Sequence, residues 1–506
     1  MVVSFLGEFM KVLVVGSGGR EHALTLLISR SMLNPKIYIV MDYRNPGLER
    51  ISEKSGGRWF IATTTSPKEV GKTAEEVSPD LVIIGPEEPQ FSGVSTYLRE
   101  KGFIVFGADA KCAEIEKSKV FARTLMWKYE IPGRLYFKAF RSIDEAKKFI
   151  EFAGDVVIKP ARQAGGKGVK VLKDTQAYLS KDKVNIKKNY IDKLYSEMES
   201  YGDIDYKILV EQRVEGVEYT AQVITDGSSF VFLPIIQDHP HAYEFDTGPE
   251  TGGMGSISGP GWIPPFLDQE EFERTKDIVA KVLYSLSVEI GINYMGAFAG
   301  QMMLTGVWGP TVIEFYSRFG DPEASNLVPI VVSDFLDLLD RAARQKLASA
   351  KLEIDEEKVV VVKAVAPVGY PDNKRIAIDH PIKVDEDRIK DIGCEVLYAS
   401  VSIGPDGNLY TRGSRAVEIV CYGSSYEEAY SLSEKAVTYV ESLDGWSLFH
   451  RGDIGSPWLV RERIKLAEKI RRIYSDRARR GVLGEMYVWI PGEGIYSNPL
   501  LSPVRW

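Results

Sequence analysis

The chain has 506 residues, 44% hydrophobic and 26% charged, with 63 Lys and Arg against 71 Asp and Glu for a net charge of −8. At about 150 residues per domain, that length implies roughly three to four domains, and the composition excludes a collagen-like, largely disordered or membrane-embedded chain. A mildly acidic balance also argues against sequence-independent nucleic-acid binding, which depends on neutralising phosphates with a basic surface, so any anionic substrate must be met by local positive groups.

Three cysteines at wide spacing, Cys112, Cys394 and Cys421, suit neither a disulfide framework nor a paired-thiolate metal site; a reducing cytoplasm is the simpler expectation. No apolar run approaches the ~18 residues of a membrane helix. The first residues lack the basic flank and apolar stretch of a signal peptide, and Met10 is an alternative start beside Met1.

From Lys11 an apolar run leads into Gly16-Ser17-Gly18-Gly19-Arg20-Glu21, which predicts a buried strand, a glycine turn and a helix opening near Arg20. Further strands are predicted over 37–41, 81–84 and 103–106, with helices over 67–77 and 92–101 between them, giving a doubly wound parallel sheet over 10–115. A second module over 116–334 starts with a helix over 119–129. It contains a flap subdomain over about 130–205, with a strand at 156–159, a glycine loop at 160–168, a strand at 169–172 and a polar helix over about 174–200. The glycine-rich stretch 238–261 reads as a long loop that orders on binding. A hairpin over 297–315 follows, then a third, α+β module over 335–455 and a tail over 456–506.

Several clusters carry chemistry. The Gly16–Gly19 turn suits a dinucleotide pyrophosphate, with Asp42 on a ribose hydroxyl, a simpler phosphate or substrate, or tight packing alone. A second loop, starting at Gly85 and carrying Glu87, lies at the same edge of the sheet. Lys159 ends one strand, and Gly165-Gly166-Lys167-Gly168 opens the next; glycine amides and two ammonium groups are what bound ATP needs, although a glycine hairpin with exposed lysines is the plain alternative. Glu211 and Gln212 at a strand end, with Val214 and Glu218 after them, suit an adenine edge, its ring and the ribose hydroxyls, or a solvated surface. Alternation lets Gln301 and Glu314, on opposite hairpin arms, point to one face, as an oxygen pair fit for Mg²⁺ completed by phosphates and water or as a plain polar pair within a sheet. Arg318, just beyond, suits a substrate carboxylate or a transferring phosphoryl group, or an ion pair with Asp321 or Glu323.

Read in order, the segments starting at Gly16, Gly85, Gly107, Ser118, Gly166, Gln237 and Gly248, together with Glu314-Phe315-Tyr316-Ser317-Arg318-Phe319-Gly320-Asp321-Pro322-Glu323, resemble the phosphoribosylamine–glycine ligase (glycinamide ribonucleotide synthetase) family of ATP-grasp enzymes. The likeness runs to about Gly455, through Gly369-Tyr370-Pro371 and the Thr411, Gly413, Arg415 set. It implies a central ATP-grasp fold and a cytoplasmic carbon–nitrogen ligase of purine biosynthesis, monomeric or homodimeric, acting on ATP, glycine and 5-phosphoribosylamine through a glycyl phosphate. ATP contacts would fall to Lys119, Lys159, Gly165, Gly166, Lys167, Gly168, Glu211, Gln212, Val214 and Glu218, and Mg²⁺ or Mn²⁺ to Gln301 and Glu314. Substrates would meet Gly16, Gly18, Gly19, Arg20, Glu21, Glu87, Asp238, Gly253, Arg318, Gly320 and Asp321, with Arg318, Lys159 and Glu314 as the catalytic set.

The chain departs from the family pattern at three places. Tyr316 replaces the usual Asn, and a phenol is a poor Mg²⁺ ligand near neutral pH, so its hydroxyl is expected to turn away from the metal. Pro240-His241 replaces Lys-Arg, and Gln163 and Gly165 alter the flap. The tail has no counterpart. It carries ten Lys or Arg against five Asp or Glu, yet Val460, Ile464, Ala467, Ile470 and Tyr474 recur at helical spacing, which predicts a helix and extended arm packed on the protein itself or on a second subunit, with a partner-binding site or disorder as the alternatives. Another ATP-grasp ligase, a nicotinamide-dependent dehydrogenase or an inactive paralogue are the competing readings.

Overall fold

A computed structural model describes residues 9–152, 156–163, 170–171, 183–490 and 494–497. At the N-terminus, five parallel strands run in the order Trp59–Ile61, Lys36–Met41, Lys11–Val15, Leu81–Ile84, Val105–Phe106. The central strand is apolar on both faces because helices cover both faces, and Val12 to Val15 are fully buried. It ends at Gly16, whose φ of +136° a Cβ could not share: that atom would stand 2.4 Å from the Glu21 side chain. Helix Gly19–Ile28 follows, with Glu21 accepting the Gly18 N–H (2.8 Å) as a capping partner.

A ten-stranded sheet forms the frame of the molecule. Its main path runs Gly309–Tyr316, Gly296–Thr305, Gly216–Thr225, Ile236–Asp238, Gly255–Ser258, Val359–Pro367, Val417–Gly423, Cys394–Tyr398, and all these pairs are antiparallel. The glycine-rich stretch is therefore not the long loop that its composition predicts. It supplies Gly255–Ser258, buried in mid-sheet, and pairs His241–Tyr243 with Thr247–Glu250. Its glycines serve close backbone packing: a Cβ on Gly255 would lie 2.2 Å from the Val362 carbonyl oxygen.

The cysteine expectation is also corrected. Cys394 and Cys421 face each other on adjacent antiparallel strands, with Cα atoms 4.4 Å apart, and form a disulfide. Their 27-residue separation gives no hint of this, because register between distant strands creates the proximity. Cys112 is free and buried.

The flap subdomain has its own sheet, ordered Phe137–Phe140, Ile208–Gln212, Val156–Pro160, Lys170–Val171, and its own core, including Phe140, Ile150, Ile158, Ile191, Leu194 and Val210. Helices Ile143–Phe152 and Lys183–Glu199 accompany it. Gly165, Gly166, Lys167 and Gly168 lie outside the described residues.

The tail forms helix Pro457–Arg479, capped by Ser456 accepting from Leu459 N–H (3.2 Å). Val460, Ala467, Ile470 and Tyr474 are buried and Ile464 is partly buried. The helix lies on the second module of its own chain: Arg471 bonds Glu271 (2.7 Å) and Asp268 (2.9 Å), and the Tyr474 hydroxyl bonds Glu271 (2.7 Å).

Candidate active site

The three modules meet around a cavity of about 230 Å³. Of the residues singled out from the sequence, Arg20, Glu87, Lys159, Glu211, Gln212, Val214, Glu218, Asp238, Gln301, Glu314, Arg318 and Asp321 line it. Lys119 reaches Glu314 from outside the lining (2.5 Å), and Gly16, Gly18, Gly19, Glu21, Gly253 and Gly320 do not line it; Gly19 and Glu21 lie in the first turn of the helix that Gly18 caps.

At one end the wall is apolar, built from Leu135, Val157, Val214, Met303 and Ile313. Lys159 points in from the end of its strand, held by Glu211 (3.0 Å), which also takes a two-pronged bond from Arg123 (2.5 and 3.2 Å). Burial alone would raise the Glu211 carboxyl, but Arg123 and Lys159 hold it down to about 2. A group lowered in this way stabilises the fold above its unfolded value near 4.5, and that stabilisation disappears as pH falls toward 2. The unfolding free energy of the wild type, read from urea titrations, is therefore expected to fall steeply over this interval, by a few kcal/mol in all. Glu211→Gln, already weakened by two unpaired cations, should show a shallower fall; an identical slope in both would remove Glu211 as the source.

In the middle of the cavity Gln301 stands directly opposite Glu314 in the hairpin, with the register breaking immediately afterwards. Alternation therefore places both on the face expected. Lys119 bonds Glu314 Oε2 at 2.5 Å, and burial, opposed by Lys119 and Lys159, leaves that carboxyl low, at about 2. The Tyr316 hydroxyl points at that carboxylate, donating to Glu314 Oε1 (2.8 Å), because ordinary strand alternation puts residues 314 and 316 on one face. The Thr220 hydroxyl stands between Gln301 (2.7 Å) and Glu323 (2.8 Å). Glu218 and Glu250 complete an oxygen-rich wall; burial and neighbouring carboxylates push them up to about 7 and about 8. Glu314 and Gln301 are hard oxygen donors of the kind taken by a divalent cation that phosphate oxygens complete; among the described residues no three His, Cys, Asp or Glu side chains are grouped to hold a metal by themselves.

The far end is a lattice of guanidinium and carboxylate groups. Glu87 sits between Arg318 (3.4 Å) and Arg20 (3.6 Å). Arg318 also faces Glu116 (3.3 Å) and lies over the Tyr316 ring at 4.1 Å. Glu116 accepts from the Ser317 N–H (2.6 Å) and hydroxyl (2.7 Å), yet burial carries it up to about 7. Glu21 commits both oxygens, to Gly18 N–H and Arg20 Nε (2.7 Å), and so sets the aim of Arg20. The third module contributes Arg415, which bonds Asp321 (2.8 Å) and the Gly252 and Gly253 carbonyls (2.8 and 3.0 Å). Gly253 must lack a side chain, since at φ +102° its Cβ would meet Asp238 Oδ1 at 2.6 Å.

Sequence reasoning missed Glu116, Arg123, Glu250 and Arg415. Arg415 was within the motif noted around Thr411, whereas Arg123 sits in an ordinary amphipathic helix and gives no local signal.

The parallel N-terminal sheet, the small four-stranded sheet beside the cavity and the carboxylate hairpin define an ATP-grasp protein. The family models for phosphoribosylglycinamide synthetase match in succession: the N domain over residues 10–116, the ATP-grasp (A) domain over 117–324 and the C domain over 360–457. A phosphoribosylamine–glycine ligase of Methanocaldococcus jannaschii is 39% identical over 468 residues, 92% of this chain and 100% of that protein. The crystal structure of phosphoribosylamine–glycine ligase from Thermotoga maritima superposes with a TM-score of 0.69 at 24% identity, covering 88% of this chain and 100% of that one. A biotin carboxylase of Campylobacter jejuni shares the fold more distantly, with a TM-score of 0.64 at 12% identity over 91% of this chain and 99% of its own. The chain belongs to the phosphoribosylglycinamide synthetase family. Among the described residues no helix is long and apolar enough to cross a membrane.

Proposed function

We propose that the protein joins glycine to 5-phosphoribosylamine at the expense of ATP, giving glycinamide ribonucleotide, ADP and phosphate, as a cytoplasmic enzyme of purine biosynthesis. The observation that carries this reading is one continuous cavity with an apolar slot and Lys159 at one end, oxygen donors midway, and the Arg20, Arg318 and Arg415 lattice at the other. In this reading 10–115 holds the phosphoribosyl side, 116–334 the nucleotide and metal, and 335–455 closes the cavity with Arg415.

Adenine lies between Val157, Val214, Met303 and Ile313, against the Gln212 strand end, and Glu218 receives the ribose hydroxyls. Lys159, aimed by Glu211, neutralises the phosphate chain. Arg318 grips the glycine carboxylate with two parallel hydrogen bonds; stacking on Tyr316 and flanking carboxylates fix the plane of its guanidinium. A carboxylate oxygen of glycine attacks the γ-phosphorus, the bond to the β-phosphate oxygen breaks, and ADP departs, leaving glycyl phosphate. The amine of phosphoribosylamine then attacks the acyl carbon, loses a proton and expels phosphate. Mg²⁺ or Mn²⁺ held by Glu314 and Gln301 would supply charge neutralisation along the phosphates. Asp238, Asp321 and Arg20 border the space left for the ribosyl amine and its phosphate.

The test is ADP release with each substrate omitted in turn. Formation of ADP and glycinamide ribonucleotide in equal amounts, only when glycine, phosphoribosylamine and a divalent cation are all present, is the expected result. ADP formation that ignores glycine would refute the assignment.

A further inference from the structure

Beyond its helix the tail turns back on itself, with Val482 N–H bonded to the Arg477 carbonyl (3.0 Å) and Arg477 bonded to the Glu485 carbonyl (2.8 Å). Gly484 then donates to the Val307 carbonyl (2.9 Å) and lies flat on the Trp308 indole; at φ +84° a Cβ there would stand 2.0 Å from a ring carbon. Trp308 gives its indole N–H to the Arg134 carbonyl (2.8 Å), and the Arg134 guanidinium sits over both the Trp127 and Trp308 rings (4.8 and 5.4 Å). Arg134 opens the crossing into the small sheet, and its neighbour Leu135 lines the cavity. On the other side of that crossing, the Tyr136 hydroxyl bonds Glu485 (3.4 Å), and Met486 packs on the core of the small sheet.

The segment 482–486 thus touches the frame at Val307 and the small sheet at Tyr136, spanning the few residues on which the subdomain would pivot. Such crossings are where hinge motion is absorbed. No family model reaches beyond residue 457, so this bridge is an addition to the matched architecture. We propose that 482–486 is a positioning arm that sets the angle of the small sheet over the apolar end of the cavity and so tunes capture of ATP. The inference rests on the reading of that end as the nucleotide site.

Two variants test it: a chain ending at Arg480, and full-length Gly484→Val, which lifts the arm off Trp308 without shortening the protein. In ligand-free protein, amide exchange over 136–140 and 207–212 should quicken at least about tenfold, while the strands over 296–316 and the helix over 460–478 keep their protection. In turnover, KM for ATP should rise about fivefold or more with kcat within about twofold. Unchanged exchange over the small sheet in Gly484→Val would overturn the proposal. Equal loss of protection over 296–316 would overturn it too, by making the arm a mere stabiliser. Because the exchange measurement needs no nucleotide, its failure is separate from a failure of the ATP assignment, which wild-type ADP release decides.

Discussion

Glu314→Ala is expected to retain its fold and lose at least about 100-fold in kcat, some 2.7 kcal/mol of transition-state stabilisation. The carboxylate is the shared partner of Lys119 and Tyr316 and faces Gln301 across the hairpin. Without it, Lys119 keeps a buried charge with nothing opposite, and the phosphate-facing oxygen set loses the one member that burial has not pushed toward neutrality. Steady-state turnover alongside circular dichroism checks this; near-normal turnover in a folded variant would remove Glu314 from the metal and phosphate assignment.

Arg318→Ala is expected to damage both activity and the fold. Its guanidinium faces Glu87 and the fully buried Glu116. Stripping one partner from a buried ion pair costs about 3–5 kcal/mol, and the glycine carboxylate would lose its bidentate grip. The loss should depend on pH. Burial, opposed by Arg318 and reinforced by Glu87, already raises Glu116 to about 7. A carboxyl raised in the fold gives stability that is complete below its unfolded value near 4.5 and is lost as pH climbs through its folded value. Removing the opposing Arg318 raises that folded value further, so the variant should lose more stability at pH 8 than at pH 6. Urea midpoints at the two pH values measure this; an equal deficit at both would mean that Glu116 is not ionised against Arg318.

What could be read in advance was local. The strand, glycine turn and helix from Lys11 to Ile28, the hairpin bearing Gln301 and Glu314, and the helical spacing of the tail depend on neighbours within a few residues, where period and turn chemistry act. The bonds that aim the site are not local. Arg123 reaches Glu211 across 88 residues and Arg415 reaches the Gly252 carbonyl across 163, so neither helix nor strand pattern records them. The Cys394–Cys421 pairing and the burial of Gly255–Ser258 in mid-sheet escaped for the same reason: both follow from the register between strands that meet only in the folded chain. The expectation for Tyr316 rests on a phenol's poor affinity for metal and leaves out that strand alternation alone puts its hydroxyl on the face of Glu314, within reach of it.

The ten-stranded sheet has a consequence for dividing the protein. Strand Gly255–Ser258 from the second module hydrogen-bonds to Val359–Pro367 from the third, and the same ladder carries Glu314 near one rim and Glu418 towards the other. A cut in the connecting stretch between Ala343 and Val359 would therefore not release two self-sufficient modules. Each fragment would carry a raw, largely buried β-edge, complementary to the other and equally ready to pair with a copy of itself. Fragments prepared that way should be recoverable together, by refolding as a complementing pair, and should precipitate apart.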